Sequence, residues 1–220
     1  MSITVLDAYF KVYGQFILAL SGISGCNKKQ VAHELSKYFN AKLIDQFDYY
    51  KKDYEEIITV SDKDKQVDII NWDSNDAIDW NKFNEDVKKY SETSKIIVLG
   101  FNLHPDLIKF KIDYHVYLNV SKNECIKKRI KYLKKDPEGT SSDHKLIKND
   151  LFEYKMYNIT FPHNDEIIKI MKINKFVKTT DLDTETIANI IWELVKNYLV
   201  TAMDNFNKYE YQEWSKTNKF

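Results

Sequence analysis

With 220 residues, 43% hydrophobic and 30% charged, the chain suits one domain with a sizeable core and is neither disordered nor built to span a membrane. The formal net charge is zero, which excludes a bulk electrostatic grip on nucleic acid, though not a local basic patch. No secretory leader opens the chain, and Cys26 and Cys125 lie far apart with no metal-type spacing, so free thiols and an intracellular, cytoplasmic protein are expected.

Residues 1–14 read as a lead-in. Gln15 to Ser21 is a continuous apolar run of strand length, as in a buried parallel strand. A turn follows from Gly22 to Asn27. Lys28 to Phe39 then has helical spacing, with Val31, Leu35 and Phe39 on one face. Ala41 to Asp45 is a second short strand, followed by a polar stretch with several aromatics. Asp79 is expected to cap a helix carrying Phe83 and Val87. Lys95 to Gly100 and Tyr114 to Val120 read as the third and fourth strands. Ser121 and Glu124 form a capping box for the next helix, which ends near Asp136. A polar turn covers residues 136–142, and a helical region runs to about Tyr157. Phe176 to Thr179 is a last strand, Thr184 to Leu199 an amphipathic helix, and residues 201–220 a polar, aromatic tail. Strands alternating with helices predict a parallel sheet with helices on both faces, with residues 15–200 as one domain.

The turn after the first strand carries the chemistry. Gly22, Ser24, Gly25, Cys26, Asn27, Lys28 and Lys29 follow the phosphate-binding pattern G-x-x-x-x-G-K-[ST] between strand and helix. In that motif, backbone N–H groups and the helix N-terminus cradle phosphate oxygens, and the lysine neutralises them. Two positions depart from it. Asn27 stands at the second glycine; asparagine is the residue that best tolerates the positive φ needed there. Lys29 replaces the hydroxyl that ligates Mg2+, and an ammonium has no lone pair to offer a metal. The rival reading is a plain strand-to-helix turn.

Arginine occurs once, at Arg129, against 32 lysines, and glycine only five times. That usage points to an AT-rich coding source, such as a large DNA virus or a low-GC microbe, whose product would work in the host or microbial cytoplasm. It also singles out Arg129 as a place needing a planar fork of donors.

Three further segments carry a resemblance. Ile44-Asp45-Gln46-Phe47-Asp48-Tyr49-Tyr50-Lys51 resembles the segment after the second strand of the uridine and nicotinamide riboside kinases. Asn71-Trp72-Asp73 through Ala77 resembles their ribose-binding segment, leaning to the nicotinamide riboside branch. Ile112 to Val120 with Cys125 to Ile130 resembles their fourth strand and lid helix, and Ile159-Thr160-Phe161-Pro162 a later element. The resemblance spans about residues 15–200. It implies a P-loop nucleoside-kinase-like fold, ATP as cosubstrate and phosphorylation of a ribonucleoside such as nicotinamide riboside or uridine.

Carried over by position, the resemblance implies that Asp73 holds ribose hydroxyls, with Tyr49 beside it at the substrate, and that Arg129 grips phosphate. The family's base is the aspartate after the glutamine, which here is Phe47; Asp48 or Asp45 could serve instead. The glutamate that helps organise Mg2+ is Leu99, before Gly100. Mg2+ use is therefore doubtful, and no metal ligands are assigned. A second reading stays open on these three losses: a degenerate pseudokinase kept to bind nucleotide or a protein partner.

Overall fold

The computed structural model describes residues 4–135 and 143–217. Thr4 Oγ1 accepts a hydrogen bond from the Asp7 amide and opens α1 (Val5–Tyr13), which Gly14 closes at φ 74°. The stretch expected as a lead-in is thus helical from Val5, with Leu6 and Tyr9 buried. Next comes β1 (Ile17–Ser21), whose five residues are all buried. It leads through the Gly22–Asn27 turn into α2 (Lys28–Phe39) and β2 (Lys42–Asp45).

The polar stretch after β2 holds a hairpin that alternation did not betray, β3 (Ile57–Asp62) and β4 (Lys65–Ile70). Its turn has no glycine; Lys63 takes the left-handed conformation instead, at φ 55°. Only Val60 and Ile69 of the hairpin are buried, which explains the weak apolar signal. α3 (Trp80–Ser91) is capped by Asp79 as expected, its carboxylate accepting from the Lys82 amide. β5 (Ile96–Gly100), β6 (Tyr114–Asn119) and α4 (Lys122–Lys135) follow, with Ser121 Oγ accepting from the Glu124 amide. The expected polar turn at 136–142 lies outside the described residues.

Beyond it, α5 (Asp143–Lys148), α6 (Phe152–Lys155) and α7 (Phe161–Ile170) extend the helical region past its expected end near Tyr157. Residues Met156–Thr160, between α6 and α7, form a π turn, closed by the Phe161 amide on the Met156 carbonyl. β7 (Lys175–Lys178) precedes α8 (Thr184–Thr217), which runs well past the expected end at Leu199. No glycine or proline interrupts residues 200–217, and α1 supports the extension. Tyr13 donates to the Ala202 carbonyl and packs its ring near Phe206.

All five strands of the main sheet are parallel, in the order β2-β5-β1-β6-β7. Along β1, Leu18 and Leu20 join the core under α2 and α8, while Ile17 and Ala19 join the core under α3 and α7. That alternation places helices on both faces. The chain leaves β1 toward β2 on one side and later crosses to β6 on the other. The carboxyl end of β1 is therefore a topological switch point, where open α/β sheets bind ligands. Among the described residues, no helix is long and apolar enough to cross a membrane.

Candidate active site

The switch point carries the Gly22–Asn27 loop. A Cβ on Gly22 would stand 2.8 Å from the Leu118 carbonyl oxygen, and one on Gly25, at φ 95°, 3.1 Å from the Cys125 carbonyl oxygen. Both glycines let the loop lie close against β6 and α4. Asn27 adopts φ 64°, ψ 20°, the left-handed conformation expected of it, and its side chain does not cap α2. The first amides of α2 are thus left to an outside acceptor, the arrangement that binds anions. Lys28 Nζ folds back to the Gly22 carbonyl at 3.1 Å, within the loop it would serve. Cys26 is buried and forms part of the wall. The Cys125 thiol donates to the Ser24 carbonyl, and burial pushes it up to about 12, so it is an inert structural thiol.

Around this loop the structure gathers some of the expected residues and turns others away. Asp45, at the end of β2, lies 3.5 Å from Lys29 Nζ and accepts from the Phe47 amide. Asp48 and Phe47 are exposed on the 3-10 turn Gln46–Tyr49. Gln46 is buried: its side chain donates to the Asn102 carbonyl and accepts from the Phe101 and Asn102 amides, stapling the end of β5. A Cβ on Gly100 would collide with the Leu103 side chain and come 3.0 Å from Gln46 Oε1. Tyr49 faces α3, where its hydroxyl donates to Asp86 and its ring packs edge-on to Phe83. Its neighbour Tyr50 turns toward the loop instead. Burial, then the charges of Asp73 and Asp45, push its phenol well above the ordinary value, with Arg129 opposing. The Tyr50 ring also lies 5.7 Å from that of Trp72, edge to face.

A chain of polar contacts joins the Gly22–Asn27 loop to Asp73. Arg129 Nη1 reaches Ser24 Oγ at 3.4 Å, while Nε and Nη2 grip Asp143 Oδ2 at 3.2 and 3.0 Å. The other oxygen of Asp143 lies 3.4 Å from Lys155 Nζ, and Lys155 lies 3.6 Å from Asp73 Oδ2. Thr160 Oγ1 donates to the same Asp73 oxygen at 2.8 Å. Burial disfavours both Asp143 and Lys155 as ions, yet opposite charges prevail. Lys155 and then Arg129 hold the Asp143 carboxyl below its usual range, and Asp73 and Asp143 raise the Lys155 ammonium. The π turn lies between these contacts, with Lys155 just before it and Thr160 at its end.

Lys155, Asp143, Thr160 and Tyr50 border the candidate site without having been singled out from the sequence. In a chain with 32 lysines nothing marks Lys155, and the pairing of Asp143 with Arg129 is tertiary.

The donor set does not fit Mg2+. Lys29 offers no lone pair, Leu99 is buried in the apolar core, and the nearby carboxylate Asp45 faces the Lys29 ammonium. Among the described residues, no group of three or more His, Cys, Asp or Glu side chains could hold a metal.

A glycine-bearing loop between the central strand of a parallel sheet and a helix with an uncapped N-terminus, with the chain's single arginine reaching in from α4, is the arrangement of a P-loop-like α/β fold. The sequence is 32% identical over 105 residues to the nicotinamide riboside kinase of Saccharomyces cerevisiae, a stretch covering 46% of this chain and 42% of the yeast protein. Among solved structures, the fold is similar to the thymidylate kinase of Candida albicans, with TM-score 0.50 and 10% identity over 83% of this chain and 92% of that one. An uncharacterized protein of Eubacterium ventriosum aligns with TM-score 0.48 and 14% identity over 82% of this chain and 98% of that one. No family model matches the chain.

Proposed function

We propose that the protein transfers the γ-phosphoryl group of ATP to a hydroxyl of a ribonucleoside, with nicotinamide riboside and uridine as the first substrates to test. One observation carries this reading: the phosphate loop and Asp73 are ends of one charge chain, Ser24–Arg129–Asp143–Lys155–Asp73. A polyphosphate and a ribose bound at its two ends would lie in one site. Phosphoryl transfer asks a protein mainly for positioning and for neutralising charge.

Lys28 would leave the Gly22 carbonyl for phosphate oxygens, beside the open amides of α2. Arg129 would stabilise the transferring group with its fork of donors. Asp73 keeps Oδ2 on Thr160 and Lys155, which leaves Oδ1 to accept from a ribose hydroxyl. Trp72 and Tyr50 offer planar surfaces beside that ribose. Of the two candidate bases, Asp45 is at the loop and Asp48 is exposed, so Asp45 is the carboxylate that would take the hydroxyl proton. The yeast relative's name supports nicotinamide riboside as the first choice. A cytoplasmic setting follows from the same reading.

The test is ATP-dependent conversion of each nucleoside to its monophosphate, read by mass spectrometry, for wild type and Lys28→Ala. Product that disappears with Lys28→Ala supports the reading. ATP binding without turnover of any nucleoside would mean a nucleotide-binding module, and no ATP binding would remove the phosphate site altogether.

A further inference from the structure

A cavity of about 480 Å3 lies away from the Gly22–Asn27 loop, bordered by Lys111 and Asp113 ahead of β6 and by Met171, Lys172 and Asn174 ahead of β7. Both strands run parallel with β1, so this cavity is at their amino ends, while the loop leaves the carboxyl end of β1. Its volume is that of a small-molecule site. Ile108, Phe110, Ile112 and Met171 give it an apolar wall. The polar side chains around it are engaged unevenly. Both oxygens of Asp113 already accept, Oδ1 from the Tyr9 hydroxyl and Oδ2 from the Gln15 side chain and the Ile17 amide. Both ring nitrogens of His115 are occupied, by Ser21 and by the Lys172 carbonyl, and the Asn174 side-chain oxygen accepts from the His115 amide. Among the described residues, the Lys111 and Lys172 ammonium groups make no hydrogen bond or ion pair, and the Asn174 side-chain N–H groups donate to nothing. Burial raises the Asp113 carboxyl, and of the groups that oppose it Lys111 acts least. The open side-chain capacity is therefore all donor, two of the three groups cationic, beside an apolar wall.

We propose that this cavity is a second ligand site, which binds a small aromatic carboxylate with its ring on Phe110, Ile108 and Met171 and its anionic group toward Lys111, Lys172 and Asn174. A ligand that brings donors finds no open side-chain acceptor here, and a cation meets two ammonium groups. A wholly apolar ligand leaves the lysine side without a partner, whereas a carboxylate supplies charged acceptors to it. The site is independent of the phosphate loop and of any reaction there.

The experiment titrates the full chain with 1-naphthoate and with its neutral counterpart 1-naphthalenemethanol, read by calorimetry and by NMR of labelled methionine methyl groups. The chain has four methionines, and Met171 borders the cavity; its signal is assigned by its loss in Met171→Leu. Naphthoate is expected to bind with Kd of about 0.1–1 mM, as suits a ligand of this size, and to shift the Met171 methyl. The alcohol is expected to bind about fivefold more weakly. Lys111→Gln combined with Lys172→Gln is expected to weaken naphthoate by about fivefold and to leave the alcohol unchanged. Both lysines are exposed, so the double variant keeps the fold. No binding of naphthoate by wild type at several times that concentration would overturn the proposal. So would equal affinity for acid and alcohol, unchanged naphthoate affinity in the double variant, or a silent Met171 methyl while the signal of another methionine moves.

Discussion

Lys29 Nζ stands 3.5 Å from Asp45 Oδ2, linking the first turn of α2 to the end of β2 at the mouth of the phosphate loop. The Lys29 side chain is largely exposed and that of Asp45 mostly buried, so the ammonium sits as a rim over the carboxylate. In the P-loop motif this position carries the metal-binding hydroxyl. Here the same place holds a fixed positive charge, which repels a divalent cation and attracts phosphate. With Lys28 next to it and Arg129 reaching Ser24, three protein cations border the loop.

Nucleotide affinity should therefore depend little on Mg2+. ATP titrated calorimetrically in EDTA and in millimolar Mg2+ is expected to bind within about threefold of the same affinity. Lys29→Thr supplies a hydroxyl and releases Asp45, and should introduce a preference for Mg2+ of about tenfold. Wild-type binding that strengthens sharply with Mg2+ would mean that the metal finds other ligands and that the Lys29–Asp45 pair opens to admit it.

Asn27 offers a backbone test that needs no ligand. Its φ of 64° suits asparagine and glycine and is strained for other residues. Asn27→Gly should leave stability within about 0.5 kcal/mol of wild type, since glycine enters this region without strain. Asn27→Val places a β-branched side chain there and should lower stability by about 1–2 kcal/mol. Urea unfolding measures both. ATP affinity should follow the same order, because the loop amides are aimed by this turn. An Asn27→Val variant as stable as wild type would mean that the loop relaxes to another conformation.

Much of this architecture was legible in the residues. The run 17–21, the Asn27 turn and the 28–39 helix follow from local rules, and so do the Asp79 and Ser121 caps. What escaped depends on register or on tertiary pairing. Tyr49 and Tyr50 are adjacent, and only the 3-10 turn at 46–49 decides which of them faces α3 and which the loop. The β3–β4 hairpin buries too few side chains to alternate clearly. Lys155 and Asp143 look like ordinary helix-surface residues until α4, α5 and α6 are brought together.

Ser21, the last residue of β1 before the loop, links the fold to pH through His115. Ser21 Oγ lies 2.7 Å from His115 Nε2, and His115 Nδ1 faces the Lys172 carbonyl at 3.2 Å. A carbonyl can only accept, so Nδ1 carries the proton and the Ser21 hydroxyl donates to Nε2. Burial holds the imidazole neutral and lowers its pKa from 6.5 to about 4, with the Lys172 carbonyl acting weakly the other way. The folded value lies below the unfolded one, so this contribution is complete above pH 6.5. It is lost as pH falls toward 4, where the unfolded chain binds the proton first. Between pH 7 and pH 5 the loss should be about 2 kcal/mol. Asp113, raised by burial, has the opposite sign, so the wild-type slope alone is ambiguous. His115→Gln removes one term and keeps the other. Urea unfolding at pH 7 and pH 5 should show wild type losing about 2 kcal/mol more than the variant on acidification. Equal losses in the two proteins would mean that His115 is protonated in the fold, with the Ser21 hydroxyl turned to accept from it.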